Sequence, residues 1–137
     1  MGSFKTERVV LFGDCDPAGA IYTPRVAHFV VEAVLEFQSA RLQGPAARKL
    51  FEMAILPPAR NLSIEFLAPL TWDDPIELEV VCSEVGTTSF TCEVTARRLD
   101  RQVAFRGRLT QVCIAADTRR PVALPDLLRL AMVRSET

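Results

Sequence analysis

The chain has 137 residues, of which 49 % are hydrophobic, and a net charge of −1; a chain this long forms one domain and buries about two-thirds of its unfolded surface. Near-neutral charge gives no pull toward nucleic acid or an anionic membrane. No apolar run reaches the roughly 18 residues of a membrane span, and the opening Met-Gly-Ser-Phe-Lys-Thr-Glu-Arg lacks the apolar stretch of a signal peptide, so a cytoplasmic protein is expected.

In chain order, residues 4 to 12 read as a first strand ending in Val-Val-Leu-Phe. Residues 13 to 22 form a loop of small residues holding Asp14 and Asp16. Thr23 is a natural N-cap, Pro24 occupies the favoured first helical position, and Gly44-Pro45 stops the helix near Gln43. The polar residues Arg25, His28, Glu32, Glu36, Ser39 and Gln43 make one narrow stripe on this helix. Most of its other residues are apolar or small, so it must be enclosed on most sides, with its start turned inward. Residues 46 to 54 predict a shorter helix, ended by Leu56-Pro57-Pro58.

The period then changes to two. Leu62, Ile64, Phe66 and Ala68 alternate with polar residues, as do Ile76 to Cys82, Phe90 to Ala96 and, less cleanly, Val103 to Cys113. These are four strands, each with one buried face, separated by turns at Asp73-Asp74-Pro75, Gly86-Thr87 and Asp100-Arg101. Residues 125 to 133 predict a terminal helix. A strand, a long apolar helix and four further strands make an α+β domain, most simply a five-stranded antiparallel sheet wrapped around the helix. Its edges invite pairing, so a homo-oligomer is expected.

The chemistry concentrates in the loop before the long helix. A helix start offers unpaired N–H groups and the positive end of a dipole. A carboxylate beside them, Asp14 or Asp16, supplies a nucleophile or base, while the amides hold an oxyanion. The plain structural alternative is that both are turn residues bonding to their own loop. Cys15 between two carboxylates is a poor nucleophile. His28, the only histidine, lies on the polar stripe, and one histidine supports neither a serine-hydrolase triad nor a metal site. Cys15, Cys82, Cys92 and Cys113 form no Cys-x-x-Cys pair, and the last three fall in apolar strand runs as packed thiols. Arg97, Arg98, Arg101, Arg106 and Arg108 read as a solvated strand face, with carrier binding as the rival role.

The run Phe12-Gly13-Asp14-Cys15-Asp16-Pro17-Ala18-Gly19-Ala20-Ile21-Tyr22-Thr23-Pro24-Arg25, with Trp72-Asp73-Asp74 further on, closely resembles the signature of the 4-hydroxybenzoyl-CoA thioesterase family. The resemblance spans nearly the whole chain and implies the hot-dog fold, a sheet around a central helix, in a dimer or tetramer. It implies Asp16 as the catalytic carboxylate and the Thr23 amide as oxyanion donor. Gly19 and Tyr22 would lie at the substrate, Glu32 would match an acidic helix position, and Pro58 and Asn61 would reach the site from a partner chain. Val31 stands where the family often has a second acid. Thr87, Thr88 and Ser89 occupy a carrier-binding turn that often holds Arg or Lys, so the resemblance leaves coenzyme A and acyl carrier protein both open.

Thioester hydrolysis suits so sparse a site, because a thiol with a pKa of roughly 8.5 leaves without a strong acid. The expected activity is hydrolysis of an acyl, and by resemblance aromatic, thioester, with no cofactor. The rival readings are a hot-dog hydratase, whose chemistry usually pairs an Asp with a His further along its helix, and a non-catalytic acyl-binding module.

Overall fold

The apolar run after Pro24 forms one helix, α1, and a curled sheet closes around it. The computed structural model describes residues 2–133, with β1 (Ser3–Val9), a 3-10 turn (Phe12–Asp14), α1 (Thr23–Leu42), α2 (Ala46–Glu52), β2 (Ile55–Leu56), β3 (Ala59–Phe66), β4 (Pro75–Val85), β5 (Ser89–Arg98), β6 (Val103–Val112), β7 (Ile114–Ala115) and α3 (Asp126–Val133). The main sheet has five antiparallel strands in the order β1-β4-β5-β6-β3. This is the expected hot-dog arrangement. β4, β5 and β6 make a meander, while β3 crosses to the edge opposite β1.

Val26, Phe29, Val30, Ala33, Val34 and Phe37 of α1 are buried against Leu78, Val80, Val94, Phe105 and Leu109 of the sheet. Burying one such aliphatic or aromatic side chain is worth roughly 1.5–3 kcal/mol, so this face holds the helix in place. Arg8 of β1 stacks over Phe29, its guanidinium carbon 3.9 Å from the ring centroid, and pairs with Glu32 at 3.3 Å. The helix ends at Gln43, which takes a left-handed conformation (φ 58°) just before Gly44. At its C-terminal half Gln38 donates to Gln111 (3.1 Å), which donates to the Pro57 carbonyl (2.9 Å), tying α1 to β6 and the start of β3.

Three expectations need correction. The first strand stops at Val9, because Phe12–Asp14 tightens into a 3-10 turn. Tyr22 is the N-cap, so Thr23 and Pro24 are the first two helical positions, and no side chain caps the helix. The inward face of β3 is not buried: Leu62 is 40 % exposed and Phe66 52 %. α1 packs on β4, β6, β1 and β5, which leaves the β3 edge uncovered in a single chain. The two-residue strands β2 and β7, paired with each other, are too short for periodicity to reveal. Cys82, Cys92 and Cys113 are buried free thiols, as expected.

The layers approach closely at Gly107 on β6, where an added Cβ would meet Val30 Cγ2 at 2.6 Å. Gly107→Ala should therefore destabilise the fold by about 1–3 kcal/mol through overpacking. Urea denaturation measures it; an unchanged midpoint would show that α1 can shift off the sheet without cost.

Candidate active site

The loop between β1 and α1 is stitched by its own backbone and by two aspartates in different ways. Val10 N–H donates to the Asp74 carbonyl (2.9 Å) and Asp73 N–H returns a bond to Val10 (2.7 Å), fixing the point where the chain leaves β1. Asp14 is buried. Its Oδ2 accepts the Leu11 amide at 2.8 Å, its carbonyl accepts the Tyr22 amide at 2.8 Å, and its Oδ1 lies 3.6 Å from Arg25 Nε. Asp14 is thus spent on joining the two ends of the loop.

Asp16 sits on the hairpin closed by the Cys15–Ile21 bridge, and it is half-buried. Its amide donates to the Ala20 carbonyl (2.8 Å), and its carbonyl accepts the Gly19 amide (2.9 Å). Its Oδ1 accepts the amides of Ala18 (2.9 Å) and Ala20 (3.2 Å). The turn bonding weighed above is therefore present, but on one oxygen only. Asp16 Oδ2 has no partner among the described residues. The turn needs Gly19, whose φ of +86° disfavours any side chain and whose added Cβ would strike the Trp72 ring at 2.8 Å.

Past this hairpin, Ile21 N–H is held by the Leu70 carbonyl (2.9 Å), and the helix begins. Of its first three positions, Pro24 has no donor and Arg25 N–H is taken by the Tyr22 carbonyl at 2.8 Å. Thr23 N–H has no partner among the described residues. A helix start with no side-chain cap keeps that donor available, at the positive end of the dipole. Tyr22, Thr23 and Pro24 are exposed in the single chain, so the expectation of an inward-turned start is not met within one protomer.

The other predicted residues lie elsewhere. Glu32 is given to Arg8, on the flank of α1 that faces β1. Pro58, Asn61, Thr87, Thr88 and Ser89 lie at the far end of the sheet, where Val85 pairs with Phe90 and Ala59 with Gln111. The length of β4 separates them from the Asp16 end, roughly 30 Å at ~3.3 Å per residue. The Thr88 carbonyl accepts the Cys113 amide (2.7 Å), and the Thr87 carbonyl accepts the Leu124 amide (2.9 Å), so this turn already anchors the C-terminal segment. His28 is exposed on α1. One chain therefore places Asp16 and Gly19 on the hairpin, with Tyr22 and Thr23 at the helix start that follows it, and leaves the rest apart.

The arginine cluster is a paired strand face. Arg97 bonds Glu79 at 2.7 Å, which holds that carboxyl below the usual range, and Arg108 meets Glu84 at 3.0 Å. A groove of about 290 Å³ runs beside it, lined by Glu7, Val9, Glu77, Arg97, Leu99 and Arg101, and includes none of the predicted site residues. Thr71 and Trp72, which touch Gly19, were missed as site residues. The sequence marks Trp72 only through its resemblance motif, and nothing in the alternation marks Thr71.

Partial burial and the carboxylates of Asp14 and Asp16 push the Cys15 thiol up. Near pH 7.5 the thiolate is the reactive form, so iodoacetamide should label Cys15 more slowly than a free cysteine peptide of pKa about 8.5. Equal rates, read by mass spectrometry, would contradict that electrostatic picture.

Comparison with known proteins adds a family to this geometry. A profile of the thioesterase-like superfamily matches residues 10–132. The 1,4-dihydroxy-2-naphthoyl-CoA hydrolase of Synechococcus sp. (strain RCC307) is 31 % identical over 120 residues, 84 % of this chain and 89 % of that protein. The enzyme of the same name from Synechocystis sp. is 27 % identical over 130 residues, covering 92 % and 91 %. Among solved structures, a thioesterase superfamily protein from Jannaschia sp. CCS1 superposes with a TM-score of 0.87 at 28 % identity, covering 95 % of this chain and 90 % of that one.

Proposed function

The chain belongs to the thioesterase-like superfamily, and we propose that it hydrolyses an aroyl thioester of coenzyme A, with Asp16 as nucleophile or general base and the Thr23 amide as oxyanion donor. The observation that carries this reading is the half-satisfied Asp16. One carboxylate oxygen is fixed by two loop amides, and the other is left for chemistry, inside the hairpin whose Cys15–Ile21 bridge leads into an uncapped helix start. The aromatic acyl group and the coenzyme A carrier follow the hydrolases that the chain resembles over most of its length.

The parts divide the work economically. Attack on the thioester carbonyl, by Asp16 or by a water it deprotonates, moves negative charge onto the carbonyl oxygen. A preset amide at that position is worth about 3–4 kcal/mol of barrier. The thiolate leaves with a pKa of roughly 8.5 and needs no acid, which is consistent with His28 standing apart on the helix surface. Asp14 contributes by holding the loop ends together rather than by touching substrate.

The site is completed by a second protomer. β3 is an edge strand whose Leu62 and Phe66 are exposed, as are the following Leu67 and Val31 of α1, which leaves apolar surface at an unpaired edge. Pairing β3 with its copy about a two-fold axis runs the strands antiparallel. The partner's Pro58, Asn61 and Thr88 end then comes alongside this chain's helix start, covering the exposed Tyr22 and Thr23. That reconciles the two distant halves of the predicted site, and it supports a homodimer as the working unit.

Asp16→Asn keeps an acceptor for Ala18 and Ala20 while removing the charge. It should fold normally and lower kcat by at least about a hundredfold. Thiol release from benzoyl-, hydroxynaphthoyl- and straight-chain acyl-CoA, and from an acyl carrier protein thioester, measures both rate and preference. The aroyl-CoA esters should be fastest. Near-normal turnover by the folded variant would end the assignment of Asp16, and preference for the carrier protein would replace coenzyme A.

Leu62→Arg tests the assembly, since a charge in an apolar strand interface costs several kcal/mol unless paired. Light scattering should show a monomer with little activity. A fully active dimer would move the interface away from β3.

A further inference from the structure

We infer that Thr71 and Trp72 are positioning residues that hold the Asp16 carboxylate in its reactive orientation by clamping Gly19. This rests on Asp16 being the reacting carboxylate and adds how it is aimed. Thr71 Oγ1 donates to the Gly19 carbonyl at 2.6 Å. The Trp72 ring lies against Gly19 from the other direction, so close that a Cβ there would approach Cζ3 at 2.8 Å and Cη2 at 2.9 Å. Gly19 is flanked by Ala18 and Ala20, whose amides are the two donors to Asp16 Oδ1. Its own amide donates to the Asp16 carbonyl. A shift of Gly19 therefore moves all three donors that set the aspartate.

The clamp is itself braced. Thr71 N–H donates to Asp74 Oδ2 (2.8 Å), Asp74 N–H donates to the Thr71 carbonyl (3.2 Å), and Asp73 takes a left-handed φ of 68° to make the turn. That turn is anchored to Val10 at the end of β1, and Leu70, just before it, accepts the Ile21 amide. The Phe12 ring leans on Trp72 at a tilt, with ring centroids 5.7 Å apart, although Phe12 itself is 79 % exposed. Phe12 thus stays at the surface to seat the tryptophan. Thr71 and Trp72 are both exposed, so their use is not explained by the hydrophobic core.

Thr71→Val removes the hydroxyl with little change of shape, and Trp72→Phe shrinks the ring on Gly19. Each should lower kcat about tenfold or more, since small misplacements of a reacting group are costly, while KM changes by less than about twofold. Thr71→Ser should recover most of the rate. In the Asp16→Asn background neither change should lower the residual rate further, because both act through the carboxylate. Amide exchange at Ala18 and Ala20 should quicken in Thr71→Val without a fall in thermal midpoint large enough to populate unfolded chain. Unchanged kcat in folded Thr71→Val, or losses that multiply with that of Asp16→Asn, would overturn the clamp. Wild-type turnover by Asp16→Asn alone is a separate result that removes the catalytic assignment and the clamp's purpose with it.

Discussion

Burial of α1 against the inner face of the sheet is the constraint from which the site follows. Once Val26, Phe29, Val30 and Phe37 are locked beneath β4, β5 and β6, the helix start can occupy only one end of the sheet. The 13–22 loop must then connect the end of β1 to that point within a short span. It does so with a tight hairpin most of whose amides donate within the loop or to the 70–74 turn. Among the groups left without a partner in the described residues are the second oxygen of Asp16 and the first amide of the helix. They are the pair that carbonyl chemistry requires. Function here is what remains after the loop has met its own hydrogen-bonding needs.

Much of this was legible in the residues. Thr23-Pro24 marked the helix start to within one residue, whereas the left-handed backbone at Gly19 went unread. Alternation in 76–82 and 90–96 matched buried faces because those strands lie under α1. The same alternation in 62–68 misled, since it describes what a strand can bury and not what one chain covers. Glu32 could not be placed from its helical position alone. Its flank depends on which strand lies beside α1, and the sheet order, with β1 and β3 on opposite edges, is a non-local property. Thr71 is invisible for the same reason, as its partner Gly19 is 52 residues away.

The two-ended layout gives the edge strand a purpose. Residues that the resemblance assigned to one site occur at opposite ends of a single chain, and an antiparallel pairing of β3 with its copy is the arrangement that brings opposite ends together. The exposed surface of Leu62, Phe66 and Val31 is then apolar for a physical reason, since such surface is costly on a monomer. Substrate selection would follow from the same junction, with the acyl group enclosed by side chains of two protomers. The proposed catalytic pair, Asp16 and the Thr23 amide, belongs to one chain, so assembly would shape the pocket without building the reactive groups.

The most direct test of the central claim is a crystal structure with a thioether ketone analogue of an aroyl-CoA, which keeps the carbonyl but cannot lose its thiol. The account predicts the ketone oxygen within about 3 Å of Thr23 N, with the carbonyl carbon facing Asp16 Oδ2. An analogue whose carbonyl sits instead in the groove beside Val9 and Leu99, or anywhere out of reach of Asp16, would contradict it.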